Sequence, residues 1–154
     1  MSNICFNVAK GRIAELYARV KGNDPAASVL VLCPIETTGL ESDATLIDAD
    51  TFAVVISGTT NIQATMGKKT LTDADLAAVP APNDAGDYNE LSLPTVTWTG
   101  ATGSAISKIC VCYCADVAGV GTDSNLVPLT MFDFAQTPSG SDIQMTTGAF
   151  FRAT

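Results

Sequence analysis

The sequence contains no histidine, which removes Ser-His-Asp and Cys-His nucleophile arrangements together with every histidine-containing metal site. Charge is scarce as well. Charged residues fill 16% of the 154 positions, against roughly 25% in ordinary soluble domains. Eight basic residues face sixteen acidic ones, and the net charge of −8 argues against a phosphate backbone as partner. No apolar run approaches the ~20 residues of a membrane span, and the opening MSNICFNVAKGR lacks the charged and apolar regions of a secretory leader. A soluble chain made in the cytoplasm, with neither nucleic acid nor membrane as partner, is the expectation. The chain also lacks a G-x-x-x-x-G-K-[ST] loop, a G-x-G-x-x-G turn after a strand and a G-x-S-x-G elbow, so no cofactor is implied.

What is abundant is apolar surface. Hydrophobic residues make up 47% of a chain long enough for one core and too short for two ordinary domains, so residues 1–154 read as one domain. An interface between subunits is the natural cover for apolar surface that the core leaves over. An oligomer is therefore expected.

Period-2 patterning dominates. From Gly11 to Lys21, Ile13, Glu15, Tyr17 and Arg19 alternate with Ala14, Leu16, Ala18 and Val20, which predicts a strand with one wet face. The same stretch holds good helix formers, but Gly11 and Gly22 bracket it closely and Tyr17 and Val20 suit a sheet. Ser28–Ile35 is a nearly continuous apolar run, expected as a central strand that ends at Pro34. Asp43–Ser57 predicts one short helix started near Asp48 and Asp50 and stopped by Gly58. Lys68–Leu71 reads as a short strand, Thr72–Asp75 as a capped helical turn, and the Pro80, Pro82, Asn83, Asp84 and Gly86 stretch as a loop. In Tyr88–Thr99 the alternation changes phase across Pro94, which predicts a bulge or an edge strand. Ile106–Ala115, Val127–Ala135 and Gly148–Ala153 complete the strands. Many short strands between turns predict a mainly β fold, a β-sandwich or jelly roll, with one or two short helices.

The candidate chemistry reduces mostly to structure. Asp48/Asp50 and Asp73/Asp75 could pair as carboxylates for hydrolysis or calcium, but neither follows the calcium-loop pattern and both precede expected helix starts, where Asp caps. Cys110, Cys112 and Cys114 share one face of a strand with Ile106 and Lys108, whereas structural zinc uses C-x₂₋₄-C pairs placed on turns, not successive same-face positions of an extended strand. Small buried fillers account for them better, with a disulfide to Cys5 or Cys33 as the main alternative. Trp98, Phe132/Phe134 and Phe150/Phe151 could form a carbohydrate-stacking platform or anchor an interface, although a sandwich core is their more ordinary home. Neighbours on a strand point to opposite faces, so one of Phe150 and Phe151 is expected to meet a partner subunit. Lys10, Arg12, Arg19 and Lys21 cluster early in an otherwise acidic chain, either as the solvated face of an edge strand or as a docking face for an acidic partner.

Five pieces occur in order: Gly11-Arg12-Ile13-Ala14-Glu15, Asn23-Asp24-Pro25 before an apolar strand, Leu71-Thr72-Asp73-Ala74-Asp75, Thr97-Trp98 and Gly148-Ala149-Phe150-Phe151-Arg152-Ala153. Together they resemble the capsid decoration, or cement, proteins of tailed bacteriophages, with the cysteine-rich Ile109–Cys114 strand as a departure from that pattern. The resemblance implies a non-enzymatic virion protein made in the host cytoplasm. It would bind the major capsid protein on the outer capsid surface, form a homotrimer and stabilise the mature shell. On that reading Lys10, Arg12, Arg19 and Lys21 face the capsid, and Phe150, Phe151 and Arg152 form the subunit interface. The competing expectation is a β-sandwich carbohydrate-binding or host-adhesion module built on Trp98 and the Asp-rich loops.

Overall fold

The computed structural model describes residues 4–77, 84–86 and 88–153. In chain order its strands are β1 (Ile4–Cys5), β2 (Val29–Glu36), β3 (Lys69–Leu71), β4 (Asn89–Leu93), β5 (Val96–Trp98), β6 (Ile106–Cys114), β7 (Val127–Gln136), β8 (Ile143–Met145) and β9 (Gly148–Ala153). The helices are α1 (Ile13–Lys21), α2 (Asp43–Leu46), α3 (Phe52–Val55) and α4 (Asp73–Leu76). The molecule is mainly β, and every strand pairing is antiparallel.

Five strands form one sheet in the order β1-β7-β6-β2-β3, while β4 pairs with β9 and β5 with β8 as two separate ribbons. Both faces of the large sheet are apolar. Leu30, Leu32, Ile109, Val111, Tyr113 and Leu129 lie on one face, under α1 and the inner side chains of the ribbons, Leu91, Leu93, Val96, Trp98, Ile143, Met145 and Phe150. The ribbons thus supply the second layer of a sandwich. Val29, Val31, Cys33, Ile35, Cys110, Cys112, Cys114 and Met131 lie on the opposite face with Phe6, Leu46, Phe52 and Val55. Covering both faces takes α-helices as well as ribbons, and among the described residues there are four such helices, two of them on this second core.

The expected strand over Gly11–Lys21 is instead the helix α1. Ile13, Leu16, Tyr17 and Val20 are all buried at the i, i+3, i+4, i+7 spacing, whereas a strand would have sent Ile13 and Tyr17 to the face opposite Leu16 and Val20. Its outer side carries Arg12, Glu15 and Arg19. The Asp43–Ser57 helix is two short helices, and neither is capped by an acid: Ser42 caps α2 by accepting from the Thr45 N–H, and Thr51 stands at the N-cap of α3. Asp48 instead accepts a hydrogen bond from the Asn7 side chain. The capped turn at Thr72–Asp75 is as expected, with Asp75 accepting from the Thr72 N–H at 2.8 Å.

Pro34 lies within β2 rather than at its end. Its carbonyl accepts from the Gln63 N–H at 2.8 Å, beyond the last residue paired with β3, so on that edge an acceptor is required and the missing N–H costs no ladder bond. A register shift at Ser107 turns Ile106 to the face opposite Lys108, Cys110, Cys112 and Cys114, so those five residues do not share one face. The phase change at Pro94 divides β4 from β5, which join different ribbons. Two short strands, β1 and β8, were not expected. Of the Pro80–Gly86 loop, Pro80, Pro82 and Asn83 lie outside the described residues, while Asp84–Gly86 is a 3-10 turn.

Two buried hydroxyls, those of Ser107 and Thr130, run against the apolar burial. Thr130 is 3% exposed, faces Val111 across the sheet, and its hydroxyl has no hydrogen-bond partner among the described residues. Replacing that hydroxyl with a methyl group of similar shape removes an unmet desolvation cost. Thr130→Val is expected to raise stability by about 1 kcal/mol, read as a higher urea midpoint at unchanged slope; a lower midpoint contradicts it.

Candidate functional site: the cationic face of α1

The eight cations divide by environment. Lys108 is drawn into the structure, with 9% of its side chain exposed, and meets Asp43 at 3.0 Å and Asp133 at 3.3 Å. It thereby ties α2 to β6 and β7. Lys68 donates to Asp123 at 2.6 Å and to the Val120 carbonyl at 3.0 Å, beside the Phe52 ring. Arg152 stacks on the Tyr88 ring at 3.7 Å and pairs with Glu90 at 3.0 Å. Lys69 is half-buried on the short edge strand β3.

The other four are Lys10, Arg12, Arg19 and Lys21, which the fold gathers on α1 and the turn leading into it. Lys10, Arg12 and Arg19 are exposed and Lys21 is half-buried. Glu15 sits among them, with Oε2 3.4 Å from Arg12 Nε and Oε1 3.0 Å from Arg19 Nε. These guanidinium contacts hold the Glu15 carboxyl below its ordinary pKa range. The four cations are legible in the sequence as a cluster and Glu15 is not, because an alternating strand gives no reason to link positions 12, 15 and 19. Helical i, i+3 and i+4 spacing was the available signal.

α1 is anchored through Tyr17. Its ring packs against Phe150 with centroids 6.0 Å apart, and its hydroxyl donates to the Ser92 carbonyl at 2.8 Å, so one side chain reaches both strands of the β4–β9 ribbon. Burial pushes the Tyr17 hydroxyl's pKa up. Of the residues expected at a subunit interface, Phe150 is turned into the core, Phe151 is half-buried at the edge of the same core, and Arg152 is exposed. The register between β4 and β9 slips beside Phe150, which breaks the alternation that would have sent the two phenylalanines to opposite faces. Next to them an apolar depression of about 230 Å³ is lined by Leu93, Phe132, Phe134, Met145 and Phe150.

Trp98 is 2% exposed, packs on Phe134 and donates its Nε1–H to the Gly67 carbonyl at 3.1 Å. It is a core residue and presents no stacking platform. None of the five cysteines is in a disulfide. Cys33, Cys110 and Cys112 are fully buried in the second core, with the Cys110 and Cys112 sulfurs 3.7 Å apart. Desolvation is the main cause that raises the pKa of each of these three thiols. Among the described residues no group of three or more Cys, Asp or Glu is arranged to hold a metal ion, and no helix is long and apolar enough to cross a membrane. No family model, curated protein or solved structure matches the chain.

Two outcomes follow from this geometry. Lys108→Met should cost about 2 kcal/mol in chemical denaturation, less than the roughly 3–5 kcal/mol of a fully buried broken pair, because both carboxylates keep contact with water. A variant as stable as the parent rules out a structural role for the bridge. A thiol reagent at about pH 8 should label half-buried Cys5 first and the four buried cysteines only with denaturant. Rapid native labelling of Cys33 or Cys112 is incompatible with this core.

Proposed function

We propose that this chain is a non-enzymatic virion structural protein that binds the outer surface of a tailed-phage capsid as a homotrimer and stabilises the mature shell. The observation that carries the reading is charge segregation. Residues 10–21 hold four cations and one acid, net +3, while the rest of the chain holds four cations and fifteen acids, net −11. Three of the four cations outside that segment are in ion pairs with carboxylates. One helix thus offers positive charge on an acidic molecule, which suits a steered docking face. The ordered likeness to decoration proteins supplies the partner, the major capsid protein. Phe151 and Arg152, with Phe150 behind them, remain the surface assigned to the subunit contact.

Such a protein needs no reacting group. It needs a preformed surface that binds the expanded shell better than the precursor shell, so that binding shifts the equilibrium toward the mature state. The carbohydrate-binding alternative loses its main support with Trp98 buried.

The test mixes purified protein with expanded, undecorated capsids of the same phage and measures co-sedimentation and heat resistance of the shell. Saturable binding with a raised capsid melting temperature is expected. Absence of both defeats the reading. Light scattering on the eluting protein should give three times the 15.9 kDa subunit mass, and a monomer at micromolar concentration counts against the trimer.

A further inference from the structure

The outer face of α1 is mixed in sign, and the mixture is ordered. Arg12, Glu15 and Arg19 follow one another along the exposed side of the helix, with Lys10 before them and Lys21 after. Each arginine meets Glu15 through Nε, which leaves the four Nη hydrogens of each guanidinium to serve an outside acceptor. Asp24 adds a second carboxylate near the end of the helix, where its N–H closes on the Arg19 carbonyl at 2.9 Å. A surface built only to attract negative charge gains nothing from an acid between its two arginines. A surface built to meet discrete carboxylates gains two things: the guanidiniums are held in place, and polyanions of uniform sign are repelled at the centre.

We propose that Glu15 is a specificity-determining residue of the docking face: it orients Arg12 and Arg19 toward carboxylates on a protein surface and rejects uniformly anionic partners such as a lipid surface. The inference rests on the decoration reading for the identity of that protein surface, the capsid shell. The helix-stabilising contribution of two solvent-exposed pairs is small, so Glu15 can be changed without unfolding α1. That lets selectivity be separated from stability.

The experiment compares the parent, Glu15→Gln and the double variant Arg12→Glu/Arg19→Glu, with folding checked by circular dichroism. Each is titrated against expanded capsids and against vesicles of about 30% phosphatidylserine in phosphatidylcholine, at low and physiological salt. The parent should bind capsids with an affinity that falls as salt rises, and bind the vesicles weakly. Glu15→Gln should gain about fivefold on vesicles, the effect of one unit of charge near an anionic bilayer, and weaken on capsids. Arg12→Glu/Arg19→Glu should lose at least about tenfold on capsids, as expected for removing two charge-assisted contacts. A parent that binds vesicles as tightly as capsids, or a Glu15→Gln variant with unchanged preference, overturns the role of Glu15. Undiminished capsid binding by the double arginine variant overturns the docking face but leaves the decoration reading standing. A parent that does not bind capsids removes the decoration reading, and the vesicle comparison still decides whether Glu15 rejects anionic surfaces.

Discussion

The pairing of β2 with β6 is the constraint on which the rest of the structure depends. Eight successive residue pairs join these strands, from Val29 opposite Cys114 to Glu36 opposite Ile106, and both strands are apolar on both faces. An antiparallel sheet can leave one face in water, but this one cannot. Two independent covers are needed. The first core is closed by α1 and the two ribbons, the second by α2, α3 and the segment around Phe6. The short helices and ribbons would be marginal alone and gain their stability from covering this pair.

The two covers have different textures, and this explains where the polar groups went. The first holds Trp98 and the buried tyrosines Tyr17 and Tyr113 beside Phe150, whereas the rings of the second are Phe6 and Phe52. The second is filled with small thiols alongside valine and isoleucine, and it must seat Lys108, which its register places on the cysteine side of β6. Asp43 and Asp133 meet that charge. Gln63, 1% exposed, donates from Nε2 to the Thr102 carbonyl at 2.8 Å and to the Ser104 carbonyl at 3.3 Å, and accepts from the Met66 N–H. A Cβ on Gly103 would fall 2.3 Å from that same Nε2, so the loop passes closer than any residue but glycine allows. Lys108 and Gln63 therefore serve the architecture, one tying α2 to the main sheet and the other fixing the 102–104 loop.

The sheet was legible from the sequence because its strands are long and buried, so that Ser28–Ile35 and Ile106–Ala115 announce themselves by apolar content alone. α1 was misread because its residues satisfy two periods at once. Leu16 and Val20 fit alternation with Ala14 and Ala18, and the same two residues with Ile13 and Tyr17 fit the i, i+3, i+4, i+7 spacing of a helix. Nothing local decides between the two; the face of β2 and β6 that needs covering does. Bulges were equally hidden, because a single extra residue at Ser107 or Phe150 reverses every side chain beyond it without leaving a mark in composition. The four cations of the candidate site were legible as a cluster. Their organisation around Glu15 was not, since it exists only once the segment is helical.

That dependence joins the fold to the proposed role. A cluster of lysines and arginines on a mobile segment would attract any negative surface, because its charges could rearrange around whatever they meet. On α1 the arginines are referred to Glu15, α1 is referred to the β4–β9 ribbon through Tyr17, and the ribbon is referred to the main sheet through the first core. Each link removes freedom before a partner arrives, which lowers the ordering cost of binding. With only 16% of its residues charged, the chain has few cations to offer, so selectivity has to come from their fixed placement rather than from their number.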